Sequence, residues 1–154
     1  MKEILRKMNC QIKKFSELTT KELYEILKVR AEVFVVEQNC VYQDLDSKDE
    51  VSYHLFLEDN REVVAYLRIL PKNTSYPEIA IGRVLTKATH RKKGLSKEMV
   101  QKAIDFIIDI LEEKEIRISA QRYLQKFYES FGFEPTSDIY LEDGIEHIEM
   151  LYQK

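Results

Sequence analysis

Apolar and polar positions along this 154-residue chain follow two periods, and the switches between them mark out the elements. Gln11–Phe15 reads as a short first strand. Thr19-Thr20-Lys21-Glu22 then fits a capping box, with the Thr19 hydroxyl capping the Glu22 amide while Glu22 reaches back. Leu23, Ile26, Leu27, Val33 and Phe34 follow at helical spacing. Arg30 falls on that apolar stripe, where an unpaired charge is costly, so a carboxylate or ligand partner is expected for it. The stretch from Glu37 to Glu50 is polar and irregular. Ser52–Leu57 and Val63–Leu70 are β-rich runs around the polar turn 58–62, a hairpin signal. Pro71–Pro77 reads as a loop and Glu78–Thr86 as another strand.

The second half carries the strongest helix pattern, Gly94–Leu111, with Leu95, Met99, Ala103, Phe106, Ile107, Ile110 and Leu111 in register. Ile116–Ala120 reads as a strand and Tyr123–Phe131 as a helix, with Gly132 as its stop. Two final strands, near Ile139–Leu141 and His147–Tyr152, flank the turn Glu142-Asp143-Gly144. The order β-α-β-β-β-α-β-α-β-β predicts a mixed α/β (α+β) domain, a mixed central sheet flanked by helices.

Composition narrows the class. Hydrophobic residues at 44% and charged residues at 33%, with 4 Gly and 3 Pro, are those of a globular domain rather than a low-complexity chain. A net charge of −3 argues against a nucleic-acid binder. Apolar runs are far shorter than the roughly 20 residues a membrane span needs, and no secretory leader is apparent, so a cytoplasmic protein with no membrane partner is expected. Cys10 and Cys40 form no CxxC pair and read as reduced thiols. His54, His90 and His147 show no metal-ligand spacing, so no metal is expected.

The chemistry concentrates where a strand meets the long helix. Thr86-Lys87-Ala88-Thr89-His90-Arg91-Lys92-Lys93-Gly94-Leu95-Ser96 sets four basic or potentially basic residues at a helix N-terminus. Cations there oppose the helix dipole by about 0.3–1 kcal/mol each. Such a placement suits a bound anion, with the helix amides and a glycine allowing close approach as the cradle.

Arg91-x-x-Gly94-x-Ser96 after a strand resembles the pyrophosphate loop of the GNAT acyltransferase superfamily, R/Q-x-x-G-x-G/A. Gln121-x-x-Leu124-x-x-x-Tyr128-x-x-x-Gly132-Phe133 resembles that superfamily's second signature, N-x-x-A-x-x-x-Y-x-x-x-G-F. The segments 30–40, Tyr42-Gln43-Asp44-Leu45-Asp46, Ile81-Gly82-Arg83-Val84 and 140–145 are similar to the ElaA-like branch. Thr86, Ala88, Ser96 and Gln121 depart from the usual residues without removing a needed functional group. The resemblance covers roughly residues 8 to 152, within one domain at 8–154, and leaves 1–7 as an N-terminal extension, frayed or disordered, or as an upstream start.

The resemblance implies the GNAT acyl-CoA N-acyltransferase fold and an acetyl-CoA-dependent N-acetyltransferase acting on a primary amine. Val84, Leu85 and Thr86 would pair with the pantetheine arm, and amides near Leu85 would serve the oxyanion. Arg91, Lys92, Lys93, Gly94, Leu95 and Ser96 would hold the pyrophosphate, with Gln121 nearby. Tyr128 holds the position of the general acid for the leaving thiolate. The base stays open among Glu37, His147, Glu142 and a water chain.

Charge placement adds an expectation about the acceptor. Residues 37–50 hold five acids against Lys48, a local charge of −4, and residues 142–149 add four acids with no Lys or Arg. That polarity suits a cationic amine, with Arg30, Asp44, Asp46 and Glu142 as acceptor-side candidates. A non-catalytic acyl-CoA-binding or sensing domain is the alternative, and a homodimer is compatible with either.

Overall fold

A computed structural model describes residues 8–154; the expected extension at 1–7 lies outside the described residues. An eight-stranded mixed sheet runs in the order β1-β2-β3-β4-β5-β8-β6, with β7 also paired to β8. Its strands are β1 (Asn9–Lys14), β2 (Tyr53–Asp59), β3 (Glu62–Leu70), β4 (Ile79–Thr86), β5 (Glu115–Gln121), β6 (Glu134–Pro135), β7 (Tyr140–Glu142) and β8 (Ile145–Gln153). The helices are α1 (Thr20–Arg30), α2 (Leu95–Asp105) and the short α3 (Gln125–Glu129). The mixed α/β class is as expected. β6 is the one strand that the sequence pattern did not offer, since two residues are too few to show alternation.

Side chains of β2 and β3 alternate between two cores. Leu55, Leu57, Leu67 and Ile69 face α2 and pack with Met99, Val100 and Ile107. Phe56 and Tyr66 face α1 and pack with Ile26, Val29 and Val33. The Thr19 capping box forms as predicted, with Glu22 N–H donating to Oγ1 at 3.1 Å and Thr19 N–H to the Glu22 carboxylate at 2.8 Å. The buried face of α1 is rotated from the predicted stripe: Glu25, Ile26, Val29 and Arg30 are buried, whereas Leu23 and Leu27 are half-buried. Glu25 is held by Lys21 and Lys28 at 2.6 and 3.0 Å.

Both long helices end in π-helical turns, Ala31–Glu37 after α1 and Phe106–Ile110 after α2. The predicted helix at 123–131 begins instead as a 3₁₀ turn, Arg122–Leu124, before α3. Gly132, at φ 105°, turns the chain back into Phe133, a conformation that favours glycine.

The β3–β4 register slips between Tyr66 and Arg68, where Arg83 and Val84 together oppose a single β3 residue. This is a β-bulge, with Arg83 at φ 51°. Its effect is a change of phase. Ile79 and Ile81 face the α2 core, yet Leu85, of the same parity, faces the α1 core.

Between α1 and β2 the chain has little regular structure, and a charge network fixes its course. Arg30, fully buried, donates from Nε to Asp44 at 3.0 Å and from Nη1 to Asp49 at 2.7 Å. Arg68, also buried, donates to both oxygens of Asp46, at 2.8 and 2.6 Å, and to Asp49 at 2.9 Å. Arg83 reaches Asp44 at 2.8 Å. The Asp49 carbonyl accepts from His54 Nε2 at 2.8 Å, so Nδ1 is the nitrogen that accepts the Tyr66 hydroxyl at 2.7 Å. Burial alone would raise the carboxyls of Asp46 and Asp49, but the guanidinium groups outweigh it and hold both below the usual range. Burial holds the His54 imidazole below its ordinary value.

Two outcomes follow from this network. Asp49→Ala leaves two buried guanidinium groups short of a partner and should cost about 3–5 kcal/mol in urea unfolding. Acid should destabilise the fold in two stages. His54 binds its proton more tightly when unfolded, so stability should begin to fall below pH about 6.5. The depressed carboxyls of Asp46 and Asp49 should add a steeper loss as pH passes below about 4. Urea midpoints measured from pH 8 to pH 3 check both stages.

Candidate active site

The parallel pair β4–β5 is joined only at its start, Ile79 opposite Ile116 and Ala80 opposite Arg117. Beyond that the strands diverge, while β4 keeps its pairing to β3 and β5 its pairing to β8. A cavity of about 1050 Å³ occupies the opening. Its walls include Gly82 and Ser119 as well as Ile118 and Tyr128 from the α2 core, so it passes through the sheet rather than lying on one face.

At the far end of β4 stands the predicted anion cradle. Gly94, at φ 74°, is the N-cap of α2, and among the described residues no side chain caps the first helical amides. They keep the donor capacity of an open helix N-terminus, which suits a phosphate. The Ser96 hydroxyl lies 2.7 Å from that of Thr86, joining helix start to strand end. Arg91 donates from Nε to the Thr86 carbonyl at 2.9 Å and through its two terminal nitrogens to Glu37 at 2.5 and 2.8 Å.

Of the residues expected to hold the cofactor, Val84, Leu85, Thr86, Arg91, Ser96 and Gln121 line the cavity. Lys92 and Lys93 are exposed beside it, and the Leu95 side chain is buried in the core, leaving only its amide for a ligand. The Tyr128 ring is buried, edge-on to Phe127 and Phe133 with centroids 5.1 and 5.9 Å away, and it lines the cavity. Burial pushes its phenol well above the ordinary value, so it stays protonated at neutral pH, as a proton donor must.

The candidate bases differ in their surroundings. Glu37 is ion-paired to Arg91, which holds its carboxyl below the usual range and makes it a poor proton acceptor. His147 lies on β8, buried, with Nδ1 2.8 Å from the Ile145 carbonyl. A carbonyl only accepts, so the proton sits on Nδ1 and Nε2 faces Glu142 at 3.3 Å. Its ring stacks on Tyr140, whose hydroxyl bonds Ser119. Nearby, burial pushes the Tyr76 phenol up to about 12. His147, Glu142, Ser119 and Tyr76 all line the cavity.

The acceptor-side expectations meet the charge network. Arg30 and Asp44 lie behind the cavity wall, bound to each other; Asp46 lines it with both oxygens taken by Arg68. The local charge of −4 read from residues 37–50 is therefore largely cancelled by Arg30, Arg68 and Arg83, which come from three other elements. Lys48, Arg68, Ser75, Tyr76 and Ser119 line the cavity without having been singled out as site residues. Arg68 left a readable signal, since β3 alternation puts it on a buried face where a charge needs partners.

A parted parallel strand pair ending at an uncapped helix, with a buried tyrosine across the gap, defines an acyl-CoA-type transferase scaffold. The chain belongs to the GNAT acyltransferase family: the model of the acetyltransferase (GNAT) domain matches residues 16–154. Protein ElaA of Escherichia coli is 40% identical over 137 residues, 88% of this chain and 90% of that protein. A UPF0039 protein of Synechocystis is 40% identical over 147 residues, 95% of this chain and 96% of its relative. Among solved structures, an acyl-CoA N-acyltransferase from Pseudomonas aeruginosa superposes with TM-score 0.88 at 36% identity, covering 94% of this chain and 99% of that one. Escherichia coli ElaA superposes with TM-score 0.88 at 37% identity, with the same coverage.

The Arg91–Glu37 pair competes with any anion for the same guanidinium. Exposed pairs contribute about 0.2–1 kcal/mol. Glu37→Gln should therefore tighten CoA binding by up to about fivefold, read by titration calorimetry.

Proposed function

We propose that this GNAT protein is an N-acetyltransferase that moves the acetyl group of acetyl-CoA to a primary amine by direct attack on the thioester. The observation that carries the reading is the β4–β5 opening, with the Thr86–Ser96 cradle at one end and the Tyr128 ring in its wall. The free edge of Val84, Leu85 and Thr86 suits an extended pantetheine arm as an added strand. The amides from Leu95 onward, with Arg91, suit its pyrophosphate. Acetyl-CoA supplies an activated acyl thioester.

The residues of the chain then divide the proton work. An alkyl ammonium, pKa about 10.4, must lose a proton before it can attack. His147 Nε2, beside the Glu142 carboxylate, is the group best placed to take it, directly or through water. The Glu142 and Asp143 carboxylates at the cavity mouth favour entry of a cation. Tyr128 donates its phenolic proton to the departing sulfur.

The test is thiol release from acetyl-CoA across a panel of primary amines. Tyr128→Phe keeps the ring's packing and removes only the hydroxyl. Its kcat should fall by about 10²–10⁴ while acetyl-CoA affinity holds. A kcat above about a third of wild type, with chemistry rate-limiting, removes Tyr128 from the acid role. Tight acetyl-CoA binding without thiol release from any amine would mark an acyl-CoA-binding or sensing domain instead.

A further inference from the structure

The acceptor end of the cavity is not uniformly acidic, despite the residues 37–50 that border it. Arg30, Arg68 and Arg83 balance Asp44, Asp46 and Asp49 one for one. Lys48 is left over. Among the described residues its Nζ reaches only a neutral group, the Ser75 hydroxyl at 2.9 Å, and both residues line the cavity. Arg68 lines it too, and its buried Nε has no hydrogen-bond partner among the described residues. The carboxylates that residues 37–50 bring to the lining are both engaged, Asp46 by Arg68 through both oxygens and Glu37 by Arg91. Glu142, Asp143 and His147 line the same cavity. The acceptor end is therefore bipolar, with the Lys48 ammonium and the Glu142 and Asp143 carboxylates in one lining.

We infer that the amine acceptor also carries a carboxylate, as an amino acid does, and that Lys48 with the Ser75 hydroxyl binds it. This rests on the acyltransferase reading. A carboxylate would accept charge-assisted hydrogen bonds from the Lys48 ammonium and the Ser75 hydroxyl, while its amine lay toward His147 and Glu142. A polyamine would set a second cation against Lys48, and a wholly apolar amine would take the water from Lys48 without replacing its hydrogen bonds. The Asp46 carboxylate accepts from Arg68 and from the Lys48 backbone amide, while the Lys48 ammonium is turned to Ser75.

Matched pairs of an amino acid and its decarboxylated amine test this: histidine against histamine, tyrosine against tyramine, lysine against cadaverine. Two readouts are taken, the KM for thiol release and the thermal stabilisation of the CoA-saturated protein. In at least one pair the carboxylate-bearing member should bind at least about tenfold more tightly, by both readouts. Lys48→Met should bring that ratio close to one. The side chain's one hydrogen bond among the described residues is to Ser75, and the Lys48 backbone bonds to Asp46 and Ser52 survive the change, so the wall should keep its fold. Equal or tighter binding of every decarboxylated member overturns the inference, as does a preference that persists in Lys48→Met, or no stabilisation by either member of any pair. A Lys48-dependent preference in the stabilisation readout without thiol release would uphold the carboxylate site and count against the acetyltransferase reading alone.

Discussion

Three guanidinium groups and three carboxylates, mostly out of reach of water, hold one wall of this protein in place. The stretch from Gln38 to Ser52 has too few buried apolar side chains to anchor itself by packing. Its position depends instead on Asp44, Asp46 and Asp49 finding Arg30 on the first helix, Arg68 on β3 and Arg83 on β4. Exposed ion pairs contribute little, but buried ones are strongly asymmetric: complete, they are near neutral in stability, and broken, they leave a charge that nothing solvates. The wall of the acceptor cavity is thus either fully assembled or costly, which favours a single geometry for it.

The donor side is arranged by backbone rather than by charge. A bulge at Arg83–Val84 changes the phase of β4, so that one strand serves the α2 core at its start and the α1 core at its end. The strand then runs out beside the open N-terminus of α2, where Ser96 and Thr86 close the corner. Two structural facts, a parted strand pair and an uncapped helix, bring a line of backbone groups and a set of anion-seeking amides into one groove.

Much of this could be read in the chain. The Arg91–Ser96 and Gln121–Phe133 spacings announced the family, and the helical and alternating periods located the two long helices and all the strands but β6. The capping box at Thr19 was legible because its partners lie three residues apart. What the sequence concealed were long-range pairings. Residues 37–50 looked strongly acidic because their countercharges sit 14 to 54 positions away, on other elements. The bulge was equally hidden, since Arg83 takes a positive φ without the glycine that usually signals one. Helix ends shifted for a related reason: the π turns after α1 and α2 continue an apolar pattern that no residue interrupts.

The opening between β4 and β5 also gives the sheet two edges in its interior. A strand edge with unpaired amides and carbonyls is ordinarily a hazard, because any extended chain can add to it. Proteins commonly blunt such edges with charge or proline, and neither appears in Ile81-Gly82-Arg83-Val84-Leu85-Thr86 beyond the single arginine, which is turned to Asp44. Recess takes their place: the edges border a cavity of about 1050 Å³ whose walls are the rest of the fold. The same cavity has an internal competitor, since β4 and β5 run parallel and could zip together if β4 lost its bend. Sequence change at the bulge could therefore silence this protein without altering one reactive group, by letting the sheet finish itself.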